Sequence, residues 1–467
     1  PGRPGVRTIV KEVTKENDVV VSERVISNTI TTQPTPQIVD EGTKVVSVER
    51  YIYVKKIVSS DAPIPIEYIK DSSLPYGTSN VVQTGNTTIY EVTYKVKLVD
   101  NKEVERTEHN RIIKQKERPT IIREGTMQPN QAGVNLDIAR RYYSVNFIKK
   151  TIDLLAENKG TFIQLHASDD QNYGIESDIL GQTKRSATYD NKLDIYTNPN
   201  TGNAFLSKEQ LQSIHDYART KGIELIIEID APGHTRGISK LIEHQAKVNP
   251  NMRKQLRLFT ENELNFKESA AVDLMKNIYS EVKSYLPTLS YMHVGGDEFG
   301  GDANYLRDYA SYLNNIVSHL ESLNVTARVW NDALIRENID LINKKVQVAY
   351  WRYTSYDGSP DDRNLVPAPD LIRKGFKVLN YNGYYLYFVP SLRTMEKEST
   401  DYMIQDMKRA WDMGKWNLQH GNTLPTGVNM IGAAISIWGE DSKGIKEQDI
   451  FIVLNEYVKS FLKKVNP

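Results

Sequence analysis

The sequence predicts an α/β protein in which a (β/α)8 barrel of the TIM type, over residues 128–467, follows elongated all-β repeat modules. Residues 1–127 are rich in Val, Ile, Thr and Tyr and show little helical periodicity. Residues 128–467 instead alternate short β-rich runs with helix-period stretches, which indicates βα units and a parallel sheet. Eight such runs fit a closed barrel.

The eight predicted strands come first. They occupy residues 134–140, 161–167, 224–230, 289–295, 327–331, 346–351, 377–381 and 432–438. Two of the predicted helices between them have clear start signals. Ser144 can cap a helix over 144–160. Ser207 and Gln210 form a capping box for a second helix over 207–222.

Residues 1–127 contain an internal repeat, because PQIVDEGT at 36–43 recurs as PTIIREGT at 119–126. The shared Pro-x-Ile-x-x-Glu-Gly-Thr indicates tandem modules. We predict a partial module over 1–45 and a complete one over 46–127. Within the complete module, residues 90–98 alternate apolar and polar side chains, as in a half-buried strand.

The repeat resembles the five-glycine domain found in extracellular proteins of Gram-positive bacteria. The likeness lies in LPYG at 74–77 and in the Glu-Gly-Thr ends, although the complete copy keeps few glycines. The resemblance implies a spacer, with sugar binding as the alternative role. We therefore expect contact with a cell wall or matrix through the repeats, and an extracellular location, secreted or cell-wall associated.

Composition gives no support for nucleic acid or membrane partners, and it excludes chemistry that depends on cysteine. Lys plus Arg and Asp plus Glu are 59 each, so the formal net charge is zero and nothing favours nucleic acid or an anionic membrane as a partner. No apolar run approaches the about 18 residues of a membrane span. There is no Cys, which excludes disulfides and thiolate chemistry. The chain starts at Pro1 without a signal-like stretch, so we expect a processed or partial chain.

Polar and aromatic side chains follow the predicted barrel strands. They are Asp137, Arg140, His166, Asp169, Asp170, Gln171, Glu228, Asp230, His234, His293, Asp297, Glu298, Trp330, Asn331, Asp332, Trp351, Asn380, Tyr381, Asn382, Tyr387, Trp438 and Glu440. Barrel active sites lie at the carboxyl ends of the strands. Sugar rings stack on aromatic side chains while carboxylates and Arg bind their hydroxyls. The pattern therefore favours a carbohydrate site.

The motif Gly295-Gly296-Asp297-Glu298 lies at the end of the fourth predicted strand. Its two glycines allow a tight turn and a close approach of substrate to the backbone. Its two carboxylates repel each other, which favours one of them staying protonated at neutral pH. A glycosidase needs such a protonated carboxyl group to protonate the leaving oxygen.

Here the chain resembles the family 20 hexosaminidases over the whole of 128–467. The matching motifs are His-x-Gly-Gly-Asp-Glu at 293–298, His-x-x-Asp-Asp-Gln at 166–171 and Asp-x-Pro-Gly-His at 230–234. The stretches 136–140, 295–300, 379–382 and 384–387 look most like dispersins, hydrolases of the β-1,6-linked poly-N-acetylglucosamine of biofilms. The resemblance implies cleavage of β-linked N-acetylglucosamine, with the substrate's own 2-acetamido oxygen as nucleophile.

The family pattern also implies roles for individual residues. Glu298 is the general acid and then the general base. Asp297 accepts the acetamido N–H and stabilises the oxazolinium intermediate, and Tyr387 donates to the acetamido oxygen. His234 with Asp169 supports Glu298 as a relay.

The remaining predicted contacts are to the sugar itself. Trp330, Trp351 and Trp438 wall the pocket. Arg140 and Glu440 bind sugar hydroxyls. His293, directly before the Gly-Gly turn, either supports the catalytic pair from behind or only packs.

No HExxH spacing and no phosphate-binding or dinucleotide motif is present, so we predict that the site needs neither metal nor cofactor. The loop 354–367 carries Asp361 and Asp362. They are solvated, or they recognise the positively charged amines of deacetylated glucosamine units.

Two alternative functions remain. An exo-β-N-acetylglucosaminidase acting on host glycans or chitobiose would use the same catalytic residues. A non-catalytic sugar-binding adhesin would suit the repeats, but it would not need the acid, the acetamide-orienting Asp and the Tyr together.

Overall fold

The computed structural model describes residues 1–17, 19–39, 48–75, 79–127, 130–352, 363–416 and 430–466. The chain divides into two compact units, Pro1–Pro129 and Asn130–Pro467. Each unit has its own sheets, and each is described by itself. Among the described residues, no helix has both the length and the apolar character needed to cross a membrane.

The first unit is all β. Its strands are β1 (Val6–Glu16), β2 (Val19–Thr32), β3 (Glu49–Ser59), β4 (Ile66–Pro75), β5 (Ser79–Gln83), β6 (Ile89–Val99), β7 (Lys102–Gln115) and β8 (Thr120–Met127). They form a β1–β2 hairpin and two three-stranded sheets, β3–β6–β7 and β4–β8–β5. Residues 120–126 of the second repeat copy lie on the central strand β8. Residues 40–43 of the first copy lie outside the described residues.

The alternating stretch 90–98 lies within β6, the central strand of its sheet. Val92 is fully buried, and its pairing partner on the neighbouring strand β7 is Arg111. The guanidinium groups of Arg106 and Arg111 lie over the rings of Tyr94 and Tyr90, at 5.5 and 4.8 Å. Long arginine side chains therefore bury the apolar face of this thin sheet.

The second unit is a closed barrel with surrounding helices. Its strands are β9 (Gln131–Asp137), β10 (Phe162–His166), β11 (Thr188–Asp190), β12 (Ile195–Thr197), β13 (Ala204–Phe205), β14 (Glu224–Glu228), β15 (Tyr291–His293), β16 (Thr326–Trp330), β17 (Gln347–Tyr350), β18 (Lys377–Asn380), β19 (Tyr387–Phe388) and β20 (Met430–Ile437). Its helices are α1 (Val145–Glu157), α2 (Lys208–Thr220), α3 (Arg236–Ala246), α4 (Pro250–Leu256), α5 (Ser269–Tyr285), α6 (Ala303–Ser322), α7 (Ala368–Arg373), α8 (Lys397–Ala410) and α9 (Glu447–Val465).

The predicted eight-stranded parallel barrel is confirmed. Strands β9, β10, β14, β15, β16, β17, β18 and β20 pair in that order, and β20 closes the barrel on β9. The first strand ends at Asp137 rather than at the predicted Arg140. The reason is local: Asp137 Oδ1 accepts the backbone N–H groups of Ala139 and Arg140, which turns the chain out of the strand.

Both predicted helix starts are confirmed. The Ser144 side chain accepts from the N–H of Phe147 at the start of α1. Ser207 and Gln210 make both bonds of the capping box at the start of α2. Capping satisfies N–H groups that have no partner inside a helix.

A separate apolar cluster extends from the start of β10 to the carboxyl ends of the barrel strands. Its buried members are Phe162, Ile226, Trp330, Ala349, Trp351, Leu379, Tyr381, Ala434 and Trp438. Three of them are the tryptophans predicted to line a sugar pocket. The packing of these indoles thus links the barrel interior directly to the site above it.

Candidate active site

The predicted site residues follow strand ends of the barrel. Arg140 follows β9, Asp169 follows β10, His234 follows β14, Asp297 and Glu298 follow β15, Trp330 ends β16, Trp351 follows β17, Tyr387 begins β19, and Trp438 and Glu440 follow β20. Most of them belong to one network of close contacts.

The turn after β15 depends on its glycines. Gly295 has φ +74°, and a Cβ atom there would lie 1.6 Å from Oδ1 of Asp230. That same oxygen accepts the N–H of Gly296 at 3.0 Å. The chain therefore passes against a buried carboxylate, which only a residue without a side chain allows.

The turn gives its two carboxylates different surroundings. The side chain of Asp297 is 14% exposed, whereas that of Glu298 is 49% exposed. Asp297 Oδ1 is buried and has no N–H donor among the described residues, although the side chain of Asp230 hydrogen-bonds to the Asp297 carboxyl group when it holds a proton. Asp297 is thus a buried acceptor, and Glu298 is a carboxylate that solvent or substrate can reach.

The raised carboxyl pKa at this turn belongs to Asp297 and not to Glu298. Burial raises the pKa of Asp297, and burial followed by the charge of Asp297 raises that of Asp230 well above its usual range. A hydrogen bond from His234 lowers the pKa of Glu298 in the free protein. Burial and the contact with His234 therefore determine the pKa values of Asp297 and Glu298 more than the repulsion between the two carboxylates does. Asp230 is the group that holds a proton beside Asp297.

His234 joins the two carboxylates to the second strand. Its Nε2 lies 3.5 Å from Oε2 of Glu298 and 3.8 Å from Oδ2 of Asp297. Its Nδ1 lies 3.4 Å from Oδ2 of Asp170 and 3.7 Å from Oδ1 of Asp169. Burial disfavours the charged ring, but these carboxylates outweigh it and raise the pKa of His234. The ring is therefore an imidazolium at neutral pH.

A buried chain of charges runs from Arg140 into the barrel. Arg140 binds Oδ2 of both Asp137 and Asp169, at 3.0 and 2.6 Å. His166 donates to Asp169 at 2.9 Å and lies 3.1 Å from Glu228 on its other nitrogen. Although burial opposes it, Glu228 raises the pKa of His166, so each anion here has a cation beside it.

The aromatic side chains form a continuous wall. Tyr387 stacks on Trp351 at a centroid distance of 5.9 Å and an interplanar angle of 12°. It meets Trp438 edge-on at 5.5 Å, and Trp438 lies 6.3 Å from Trp330. The guanidinium of Arg140 lies 5.3 Å from the Trp438 ring. Such a wall suits a sugar ring, with Arg140 at its polar edge.

Three further predictions have simpler outcomes. His293 is fully buried, its Nδ1 accepts the N–H of Gly295, and its ring packs on Trp330, so it lies directly behind the turn. Glu440 is exposed, and its charge acts on Arg140. Asp361 and Asp362 lie outside the described residues.

The structure adds residues to which the sequence assigned no role. They are His166, Glu228, Asp230 and Asp332, all buried. Glu228 accepts from the indole N–H of Trp330 at 2.6 Å. Asp332 accepts from the indole N–H of Trp351. The sequence could indicate these residues only through their position at strand ends. Which side chain each of them binds depends on how distant strands are arranged in the barrel.

Several His and carboxylate groups lie close enough to hold a cation. Within the described residues these are His166 with Glu228 and Asp230, Asp169 with Asp170 and His234, and Asp230 with His234 and Asp297. Both imidazoles have raised pKa values, set by carboxylates at each ring nitrogen. A protonated imidazole has no lone pair for a metal. This chemistry favours a site without metal, which stays a prediction.

Comparison with solved structures supports the same reading of the barrel. Dispersin B is 35% identical, with a TM-score of 0.67, over 72% of this chain and 100% of that chain. A catalytic module of the pneumococcal exo-β-D-N-acetylglucosaminidase StrH, 19% identical with a TM-score of 0.55, covers 70% of this chain and 84% of that one, and shares the fold.

Among curated proteins, the human beta-hexosaminidase subunit beta is 23% identical over 328 residues, which is 66% of this chain and 52% of the relative. The corresponding pig subunit is 29% identical over 170 residues, 36% of this chain and 29% of the relative. The chain thus spans about half or less of the length of these relatives.

Family models account for both units. The G5 domain model matches residues 1–44 and 54–127 of the all-β unit. The model of the catalytic domain of glycosyl hydrolase family 20 matches residues 132–452, most of the barrel unit. The chain therefore belongs to glycosyl hydrolase family 20, with G5 domains preceding its catalytic barrel.

Proposed function

We propose that this protein is a secreted, retaining β-N-acetylhexosaminidase that hydrolyses β-1,6-linked poly-N-acetylglucosamine of biofilm matrix. The observation that carries the proposal is the likeness to Dispersin B over the whole of that chain, at 35% identity. The dispersin-like motifs around the catalytic turn and β19 point to the same polymer.

The geometry supports substrate-assisted catalysis. Asp297 offers a buried oxygen, Oδ1, that no N–H group of the described residues reaches, and the acetamido N–H of the substrate supplies such a donor. The acetamido oxygen attacks the anomeric carbon while Glu298 protonates the leaving oxygen. The resulting oxazolinium carries positive charge, which the Asp297 carboxylate stabilises.

The second half of the reaction reverses the role of Glu298. Now a carboxylate, it takes a proton from water as water attacks the anomeric carbon and opens the oxazolinium ring. Two inversions give net retention of configuration. The nearby imidazolium of His234 stabilises the ionised form of Glu298 that this step requires.

The sugar pocket is formed by the aromatic wall. Trp330, Trp351 and Trp438 enclose the apolar faces of the ring and the acetyl methyl, and the Tyr387 hydroxyl donates to the acetamido oxygen. Arg140, fixed by Asp137 and Asp169, binds sugar hydroxyls together with Glu440. Two carboxylates hold Arg140 before substrate arrives, which reduces the entropy lost on binding.

The deciding experiment compares linkages. The protein is incubated with β-1,6-linked and β-1,4-linked N-acetylglucosamine oligomers, and products are resolved over time beside the Glu298→Gln variant. We expect cleavage of the β-1,6 series that is lost in the variant. Preference for the β-1,4 series would favour a general exo-β-N-acetylglucosaminidase, an activity that fits the names of the hexosaminidase relatives. Turnover that survives Glu298→Gln would contradict the assigned acid, and no turnover would favour a sugar-binding adhesin.

We also propose that Asp361 and Asp362, outside the described residues, bind free amines of partly deacetylated polymer. A cationic amine and a carboxylate attract more strongly as water is excluded. Replacing both by Asn should lower kcat/KM for partly deacetylated oligomers and leave fully acetylated oligomers unaffected. An unchanged preference between the two substrates would exclude this role.

The location of the protein is a separate proposal. We infer an extracellular protein whose G5 repeats contact the cell wall or matrix, from their likeness to modules of surface proteins. Fractionation of the producing cells into cytosol, wall and medium, followed with an antibody, tests it. Detection only in the cytosol would overturn it.

A further inference from the structure

Asp332 lies between two parts of the proposed site. It follows β16 and is 1% exposed. Its Oδ2 accepts the backbone N–H of Glu298 at 3.3 Å, and its Oδ1 accepts the indole N–H of Trp351. One buried carboxylate thus holds the residue that delivers the proton and a residue that walls the sugar pocket.

The bond to Glu298 acts on an unusual backbone conformation. Glu298 has φ +50°, in the left-handed region, which costs a residue with a side chain about 1–2 kcal/mol. Such a conformation persists only where neighbouring groups hold it. The bond from the Glu298 N–H to Asp332 is such a restraint, and it sets the direction in which the Glu298 side chain leaves the turn.

The backbone on both sides of the Trp351 carbonyl is held by Asn331. Asn331, the neighbour of Asp332, accepts the backbone N–H of Trp351 at 2.8 Å and donates to the carbonyl of Arg352 at 2.7 Å. The end of β17 is thereby fixed to the end of β16. The Trp351 indole then stacks on Tyr387, so its orientation also influences that ring.

Charges of both signs surround Asp332. Arg352 Nε and Arg363 Nη2 each lie 3.9 Å from its Oδ2. Burial, followed by the charge of Asp297, raises the pKa of Asp332 to about 8. Each side-chain oxygen nevertheless accepts one N–H group, Oδ2 from Glu298 and Oδ1 from Trp351, so both acceptor positions are occupied.

We propose that Asp332 is a positioning residue for the protonation step: through one carboxylate it directs Glu298 towards the leaving oxygen and orients Trp351 against the sugar. This inference rests on the proposed glycosidase function. A residue that acts through the acid has a consequence that depends on the leaving group. Sugar leaving groups need protonation by Glu298, whereas a dinitrophenolate leaves with little help.

The test compares wild type and Asp332→Asn on two substrates, a β-1,6-linked N-acetylglucosamine oligomer and the 2,4-dinitrophenyl glycoside of N-acetylglucosamine. The amide keeps the side-chain volume, but its single oxygen can accept from only one of the two N–H groups. We expect kcat/KM for the oligomer to fall about 10–100-fold, as for an impaired general acid. For the aryl glycoside kcat/KM, which reports the reaction up to departure of the leaving group, should fall less than about threefold, which is too little to reflect lost protonation.

Trp351→Phe separates the two contacts, because it keeps an aromatic wall and removes only the donor to Oδ1. It should raise KM for both substrates alike without the dependence on the leaving group. Asp332→Glu, which keeps a carboxylate but displaces it, serves if the Asn variant does not fold, and should show the same dependence. Thermal unfolding of each variant checks that the fold is retained.

Equal losses of kcat/KM on both substrates in a folded Asp332 variant, or no loss, would overturn the positioning role while leaving the glycosidase function standing. A wild-type protein that hydrolyses neither substrate would overturn the proposed function, and this inference with it.

Discussion

The imidazole of His234 lies against the carboxylate of Glu298, with Nε2 3.5 Å from Oε2. The hydrogen bond from His234 is the largest influence on Glu298 and lowers its pKa. The free protein therefore favours the ionised acid. In the proposed mechanism Glu298 must be protonated when the leaving oxygen departs and ionised when water attacks. The contact with His234 therefore favours the attack by water over the protonation of the leaving oxygen.

This relationship predicts a pH effect for His234→Gln. The active free enzyme carries protonated Glu298, so kcat/KM for oligomers falls as pH rises through the pKa of Glu298. Removing the imidazolium raises that pKa, and the alkaline limb should therefore move to higher pH. Maximal kcat should fall about 10–100-fold, because stabilisation of the ionised form is lost. Kinetics across pH measure both effects.

His215→Gln is the matched control for that variant. His215 hydrogen-bonds to Thr288 from helix α2, so its loss should leave the pH profile of kcat/KM unchanged. An alkaline limb at the same pH in His234→Gln and wild type would contradict the assigned contact with the acid.

A second prediction concerns the turn itself. Gly295 and Gly444 have similar φ values, +74° and +82°, but a Cβ at Gly295 would lie 1.6 Å from Asp230, and one at Gly444 meets nothing within 4 Å. Replacing either by Ala costs about 1 kcal/mol for the left-handed backbone. Gly295→Ala should lose about 1–3 kcal/mol more through overpacking. It should also lose most activity, which Gly444→Ala should keep.

Denaturant unfolding and oligomer hydrolysis, measured on both alanine variants, give the comparison. If Gly295→Ala were no less stable than Gly444→Ala, this result would contradict the close contact between the turn and Asp230.

The barrel was predictable from the sequence because each strand is a short apolar run followed by polar residues. Glu228 marks the limit of that reading. It ends an apolar strand, as a site residue would, yet it is fully buried and holds the indole of Trp330, two strands away in the sheet. Local pattern identifies the end of a strand, but which distant side chain meets it depends on the closure of the whole barrel.

The electrostatics of the pair Asp297 and Glu298 were harder still to predict. Adjacency in sequence indicated repulsion, whereas the structure separates the two by burial and places His234 beside Glu298. The positive φ of Glu298 and its bond to Asp332 likewise have no signature in the local sequence. In contrast, the Ser207–Gln210 capping box is a local interaction, and it was predicted to the residue.

A third prediction tests the buried charge on β14. Glu228 accepts from Gln164 and Trp330 and faces His166 at 3.1 Å. Glu228→Gln leaves His166 without this anion, and removing one partner of a buried pair typically costs about 3–5 kcal/mol. Glu224→Gln, on the exposed start of the same strand, should cost less than about 0.5 kcal/mol.

The loss of stability caused by Glu228→Gln should become smaller as the pH falls. Burial alone would raise the pKa of Glu228, but His293 and His166 lower it to about 2, below the ordinary value of 4.5. A lowered carboxyl pKa contributes stability above 4.5 that is lost as pH falls from there towards 2. The difference in unfolding free energy between wild type and Glu228→Gln should therefore shrink by about 1 kcal/mol or more between pH 5 and pH 3. A constant difference would mean that the carboxylate is not ionised in the folded protein.

The last prediction isolates the hydroxyl of Tyr387. The ring stacks on Trp351 and meets Trp438 edge-on, and Phe would keep both contacts. Tyr387→Phe should therefore keep the fold, which thermal unfolding checks. Its kcat should fall about 10²–10³-fold, as when one donor to a developing charge is removed, with KM little changed.

Tyr384→Phe is the control, because Tyr384 is 47% exposed and lies three residues earlier in the same segment. Its kcat should stay within about twofold of wild type, as expected for a surface substitution away from the site. The two outcomes separate chemistry from packing: a hydroxyl that donates to the acetamido oxygen alters turnover without altering stability. If Tyr387→Phe instead raised KM and left kcat intact, the hydroxyl would serve binding of the ground state, and another group would have to activate the acetamide.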